Sequence, residues 1–241
     1  MQIDLNCDLG EGAGNDTLIM PYITSANIAC GGHAGTFQTM LETSKLALKS
    51  GVKIGAHPGY PDLENFGRVS IAMNRNDLYE SIIRQIASLA EIVEGLGSAL
   101  AHVKPHGALY NDAARNIQIA QIIADAVFHT DPHLILVGLS GSVMHSAAQA
   151  TGLKFAHEVF ADRSYTNNGQ LVPRSQPNAM ITDTDKSLAQ VRQMLLCSQV
   201  DTITGTTIPI QADTVCIHGD HPHAPSLAQL LSHLLLPPSH P

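Results

Sequence analysis

The sequence predicts an α/β fold, a single parallel β/α barrel, on three observations. Short apolar or alternating runs recur along the chain, apolar stripes of helical period fall between them, and polar residues gather where the runs end at glycine or proline. Strand and helix in alternation call for parallel strands joined by crossovers. Closing seven or eight such units gives a barrel, and leaving them open gives a doubly wound sheet. Barrel enzymes carry their sites at the carboxyl ends of the strands, where the polar residues of this chain collect, so the barrel is favoured. The 241 residues fit one such domain over 1–236, with the proline-rich 237–241 as a flexible tail.

The first strand sets the pattern. Ile3, Leu5, Cys7 and Leu9 alternate with Asp4, Asn6 and Asp8, and the run enters Gly10-Glu11-Gly12, where the backbone can turn and present Glu11. A solvated edge strand would satisfy this pattern alone, but recurrence favours a polar face that lines a site. Residues 25–30 lead to Gly31-Gly32-His33, and 52–58 carry His57 before Pro58. Residues 101–106 carry Lys104 and His106, 134–138 run to Ser140, 154–160 lead to Asp162, and 214–220 hold His218 and Asp220.

Helical stripes fill the intervals. Phe37, Met40, Leu41, Leu46 and Leu48 precede a glycine stop at Gly51. Over 74–97, Leu78, Ile82, Ile86, Leu89, Val93 and Leu96 recur at steps of three or four. Further stripes fall on 117–127, on 141–148, on 183–200 with Leu188, Val191 and Leu195, and on 226–235 with Leu227, Leu230, Leu231 and Leu234. These faces are assigned to the core. Two connections, 58–73 and 161–179, are longer than a crossover needs and read as functional loops. Asn168-Gly169 suits a small hairpin over the site. Arg68, Arg163 and Arg174 in these loops suggest an anionic ligand.

Composition excludes several classes. A formal charge of −8, from 13 Lys+Arg against 21 Asp+Glu, disfavours nucleic acid and anionic membrane as partners. The 4 cysteines show neither a Cys-x-x-Cys pair nor a framework spacing, which fits a reducing cytoplasm. No signal peptide or membrane-length apolar run is evident. A P-loop is absent, and Gly138-Leu139-Ser140-Gly141-Ser142 reads as a strand-to-helix turn with a capping serine rather than a nucleophile elbow.

The richest chemistry lies in Lys104-Pro105-His106-Gly107-Ala108-Leu109-Tyr110-Asn111. Lys104 can neutralise charge developing on an oxygen, and His106 can move a proton near neutral pH. Asp8, Glu11, Asp162 and Asp220 can orient a histidine or act as bases. Asp8 with His33, His57, His106 or His218 could instead hold a divalent ion, although no His-x-x-x-His spacing supports that reading. Physical reasoning alone stops at a barrel hydrolase or lyase acting on a small, polar, anionic molecule.

Taken together, the blocks at 4–12, 25–35, 55–62, 65–68, 103–111, 158–163, 171–175 and 216–220 resemble the LamB/YcsF family over nearly the whole chain and in order. Thr36 and Val69 depart from the family's usual run. The resemblance implies a seven-stranded barrel similar to the glycoside hydrolase/deacetylase-like group and a cytoplasmic location. It further implies ATP-dependent opening of 5-oxo-L-proline to L-glutamate, as the A component of a 5-oxoprolinase working with subunits B and C. ATP would be a co-substrate, and a divalent metal stays open. On this reading Asp8, His57, Lys104 and His106 are the catalytic candidates. Asn6, Glu11, Asn27, His33, Arg68, Tyr110, Asp162, Arg163, Arg174 and His218 are the substrate-binding ones. The alternatives are a metal-dependent deacetylase or amidohydrolase and a non-catalytic substrate-binding subunit.

Overall fold

In the computed structural model, which describes residues 3–219 and 223–235, seven parallel strands close into a barrel. In chain order the strands are β1 (Asp4–Leu9), β2 (Ser25–Ala29), β3 (Lys53–His57), β4 (His102–Val103), β5 (Ile135–Leu139), β6 (Lys154–Phe160), β7 (Gln199–Asp201), β8 (Thr207–Pro209) and β9 (Thr214–His218). β7 and β8 form a separate antiparallel ribbon, which the sequence pattern does not anticipate, and β6 pairs directly with β9 to close the ring. Asp220 and the tail 237–241 lie outside the described residues.

The ladder sets which side chains share a level. Asp8 is opposite Asn27 on one side and His218 on the other, and Gly55 is opposite His102. β4 is shorter than the expected 101–106 because Pro105 has no N–H to offer. The backbone nevertheless follows β3 onward, with Lys104 N–H donating to Ala56 O at 2.9 Å and His106 N–H to Pro58 O at 2.8 Å. Both side chains are thereby fixed to the barrel rather than to a loose loop.

The helices are α1 (Asp16–Ile19), followed by a 3-10 turn Met20–Tyr22, then α2 (Phe37–Lys49), α3 (Arg75–Gly95), α4 (Gly107–Arg115), α5 (Ile117–Thr130), α6 (Val143–Thr151), α7 (Thr184–Cys197) and α8 (Ala224–Leu235). Side-chain caps set several starts. Asn74 accepts from Asp77 N–H, Asn116 from Gln118 and Ile119, and Asp183 from Asp185 and Lys186. Thr36, one of the two departures from the family's run, forms a reciprocal capping box with Thr39. Ser142 sits at the N-cap of α6, but its hydroxyl makes no cap bond, which corrects its reading as a capping serine. The other serine of that turn, Ser140, accepts from Gln211 N–H.

The long stripe of α3 buries Leu78, Ile82, Ile86, Leu89 and Val93 as expected. Phe37 and Leu230, counted in the apolar stripes, instead face solvent at 67% and 42% exposure. The helix expected over 183–200 stops at Cys197, where Ser198 turns left-handed at φ 53° and releases the chain into β7. α1 and α4 are additions to the elements expected from sequence. None of the described helices is long and apolar enough to cross a membrane.

Candidate functional site at the carboxyl ends of the strands

The barrel interior is polar from its floor to its mouth. Asp4 accepts hydrogen bonds from Thr24, Ser25 and Thr214. One level up, Asn6 donates to Thr214 Oγ1 at 2.7 Å and to Glu158 Oε1 at 3.0 Å. Asn27 donates to Asn6 and Asp8, both at 2.8 Å, and its own Oδ1 lies 2.7 Å from His102 Nε2. Because an amide oxygen only accepts, His102 carries its proton on Nε2. Gly55 makes room for that ring: a Cβ there would lie 2.1 Å from His102 Nε2.

Lys104 tops this network at 2% exposure. Its ammonium lies 2.8 Å from Asp8 Oδ1, 2.8 Å from Glu158 Oε1, 3.1 Å from Cys216 Sγ and 3.3 Å from Asn6 Oδ1. Burial would lower its pKa, but Asp8, Cys216 and Glu158 together hold it well above the ordinary lysine value. Burial likewise works against the Asp8 carboxylate, yet the charges of His57 and Lys104 keep its pKa well below the usual range. Both groups are therefore charged at neutral pH, inside a barrel where an unpaired ion would be very costly.

Beside this pair, Glu11 and three histidines converge. Glu11 Oε1 is 3.1 Å from His33 Nε2, 3.1 Å from His106 Nδ1 and 3.6 Å from His57 Nε2. The His33 and His106 rings stack at 3.5 Å with a 2° tilt. His57 Nδ1 donates to Lys104 O at 2.7 Å, and His106 Nε2 donates to Phe66 O at 3.0 Å. Phe66 holds φ 55°, an uncommon value for a non-glycine residue, and this turn of the 58–73 loop aims its carbonyl at His106. Burial, opposed by Glu11, depresses His33 to about 4. Burial also lowers His106, whereas Asp8 and Glu11 overcome it at His57 and raise that ring.

Above these groups opens a cavity of about 650 Å³, lined by Asp8, Glu11, His57, Lys104, His106 and Tyr110 and rimmed by Arg68, Arg163, Arg174 and His218. Arg163 is 5% exposed, donates from Nη2 to Val172 O, and has no partner at Nε. Burial and the neighbouring Arg174 bring its pKa down to about 10. Arg68 lies over the Phe66 ring. On the same rim His218 Nδ1 donates to Asp162 at 2.9 Å, and its ring stacks on Phe160. Tyr165 and Leu171 bridge around Asn168-Gly169, so the expected hairpin forms, and Asn168 lines the cavity. A broader cavity of about 880 Å³ lies elsewhere, against α7 and α8, and has only His157 and Asp213 as ionisable lining. The ionisable side chains gather at the smaller one.

Ten of the fourteen residues singled out from sequence line this cavity. The others stand behind its wall: Asn6 and Asn27 under Asp8 and Lys104, His33 behind His106, and Asp162 behind His218. Three participants escape the sequence pattern. Glu158 shares its face of β6 with Ala156 and Phe160, and a carboxylate at that parity in a buried strand is the available signal. His102 shares a face with Lys104 and His106 by the same rule. The Phe66 carbonyl, a backbone group, has no sequence signal.

Similarity to known proteins runs the length of the chain. Two proteins named as the A subunit of 5-oxoprolinase, from Brevibacillus brevis and Staphylococcus carnosus, are 50% identical over 238 residues and 52% identical over 229 residues. These spans cover 97% and 93% of this chain and 94% and 91% of the relatives. The crystal structure of the lactam utilization protein from Thermus thermophilus shares 42% identity and a TM-score of 0.91, covering 98% of this chain and 96% of its own. With residues 3–237 matching, the chain belongs to the LamB/YcsF family.

Proposed function

We propose that this chain is the A component of a cytoplasmic, ATP-dependent 5-oxoprolinase that opens the lactam of 5-oxo-L-proline to L-glutamate, with release of ADP and phosphate, in a complex with subunits B and C. The observation that carries the reading is the buried Lys104 ammonium, charged and held by Asp8 and Glu158, on the floor of an arginine-rimmed cavity. That arrangement suits a small anion whose reacting oxygen gains negative charge. Identity of 50% to a chain named as the A component of 5-oxoprolinase supports the lactam acid as that anion.

A relaxed five-membered lactam is resonance-stabilised, so its opening needs coupling to phosphoryl transfer. In the proposed sequence the lactam oxygen takes the γ-phosphoryl group of ATP and ADP leaves. Water then adds to the activated ring carbon and loses a proton, and the ring nitrogen gains one as the C–N bond breaks. The resulting acyl phosphate is hydrolysed to the new carboxylate and phosphate. Arg163 and Arg174 bind the substrate carboxylate or the phosphoryl group, and Lys104 offsets charge on the former lactam oxygen. Asp8, His57 and His106 position the attacking water. His218, with Nδ1 already committed to Asp162, is the group suited to take its proton.

The test is glutamate release from 5-oxo-L-proline by the purified chain, alone and mixed with B and C subunits, with and without ATP. Release only in the full mixture with ATP is expected. Release that is independent of ATP and of the partners would move the assignment to a free-standing amidohydrolase.

A further inference from the structure

We propose that Glu11, His33, His57 and His106 form a binding site for one divalent metal ion of the zinc type. The case rests on where the protons of two rings must be. The Lys104 and Phe66 carbonyls can only accept, so the neutral His57 ring carries its hydrogen on Nδ1 and the neutral His106 ring on Nε2. Both remaining nitrogens, His57 Nε2 and His106 Nδ1, are then lone pairs, and they face each other at 2.9 Å. Glu11 Oε1 adds a third electron-rich atom 3.1 Å from one and 3.6 Å from the other. Three such atoms this close repel unless a positive charge lies among them, either a metal ion or the second proton of a charged His57 ring.

Size and chemistry favour zinc. Zinc–nitrogen and zinc–oxygen bonds of about 2.0–2.2 Å in a tetrahedron put neighbouring ligands roughly 3.3–3.6 Å apart. Of the four separations, 2.9, 3.1, 3.1 and 3.6 Å, one matches that edge and three lie slightly inside it. All four ligand atoms lie within 4.8 Å of one another. The carbonyl bonds to His57 and His106 are the outer contacts that fix tautomer and ring direction at metal sites. Glycines allow the cluster to close, since a Cβ at Gly67 would lie 2.7 Å from His33 Cβ and one at Gly59 2.7 Å from His33 Nδ1. A neighbouring trio, Asp8, Cys216 and His218, also has metal-like spacing, but there the Lys104 ammonium already bonds Asp8 and Cys216. The two positive centres are complementary, one a fixed ammonium and the other a metal ion.

The site can be tested without knowing the substrate. The chelator-stripped full-length chain is titrated with zinc chloride, and bound zinc is measured by equilibrium dialysis and elemental analysis. One zinc per chain is expected, with a rise in Tm. Glu11→Gln and His106→Ala should each weaken binding by at least about a hundredfold, while Cys216→Ser leaves it unchanged. No zinc retained by the wild-type chain would overturn the site and leave a shared proton between His57 and His106. Zinc binding that survives both Glu11→Gln and His106→Ala, or that is lost in Cys216→Ser, would overturn it equally.

Discussion

The Lys104 ammonium and the Glu158 carboxylate meet at 2.8 Å inside the barrel, at 2% and 0% exposure. Asp8 shares the same ammonium, so one cation serves two carboxylates. Removing it leaves both carboxylates without their cation. Lys104→Met is therefore expected to destabilise the chain by about 3–5 kcal/mol, measured by urea unfolding. Adding Glu158→Gln should recover a large part of that loss. Purely additive losses in the double variant would contradict the pairing.

Gly55 owes its identity to a neighbour rather than to its own backbone. Its missing Cβ is the space occupied by the His102 ring across the β3–β4 ladder. Gly55→Ala should cost about 1–3 kcal/mol through overpacking, seen as a lowered Tm. In the Gly55→Ala/His102→Ala pair the cost of the alanine at 55 should largely vanish. If it costs the same with or without the His102 ring, the steric account fails.

His102 also makes stability depend on pH. Burial lowers its pKa to about 4, with Lys104 and His57 adding to the effect against the pull of Asp4. The ring stays neutral in the fold, while the unfolded chain takes up a proton below about 6.5. Its contribution is thus fully present above pH 6.5 and is lost as pH falls toward 4, on the order of 3 kcal/mol in all. Unfolding free energy measured against pH should show this slope. His102→Gln should flatten it over that window, and an unchanged slope would assign the acid sensitivity elsewhere.

The rim arginines should act on substrate affinity. Arg174→Ala is expected to raise KM for 5-oxo-L-proline at least about tenfold, the loss of one charge-assisted contact, with a smaller effect on kcat. Arg163 has its guanidinium buried and partly committed to Val172 O, so Arg163→Lys, which cannot span the same two directions, should do likewise. A fall in kcat at constant KM would place these residues in the chemical step instead.

Much of this is legible in the amino-acid order. Period-two alternation in residues 4–9 exposes the polar inner face of β1, and each of the seven expected strands lies on a barrel strand. The strand-end rule then gathers Asp8, His57, Lys104, His106 and His218 with no knowledge of their contacts. The features it does not reach have identifiable causes. The ribbon of β7 and β8 is only three residues a side, too short to give a periodic signal. His106 itself stands at the N-terminal boundary of α4 without a side-chain cap bond, so the first turn reads as chemistry rather than helix. Glu158 looks like one charge in an ordinary strand, because its worth depends on Lys104, distant in sequence, reaching it across the barrel. The orienting carbonyl of Phe66 depends on a backbone angle that no residue pattern encodes.

The central claim is that the lactam opens at the Lys104 ammonium. It is tested most directly by the rate of ATP-dependent glutamate release from complexes assembled with the Lys104→Met/Glu158→Gln chain, in which one buried charge of each sign is removed together. The account expects a chain that still folds and assembles while turnover falls by about a thousandfold. Glutamate release within about tenfold of wild type would contradict it and place the chemistry at another site in the complex.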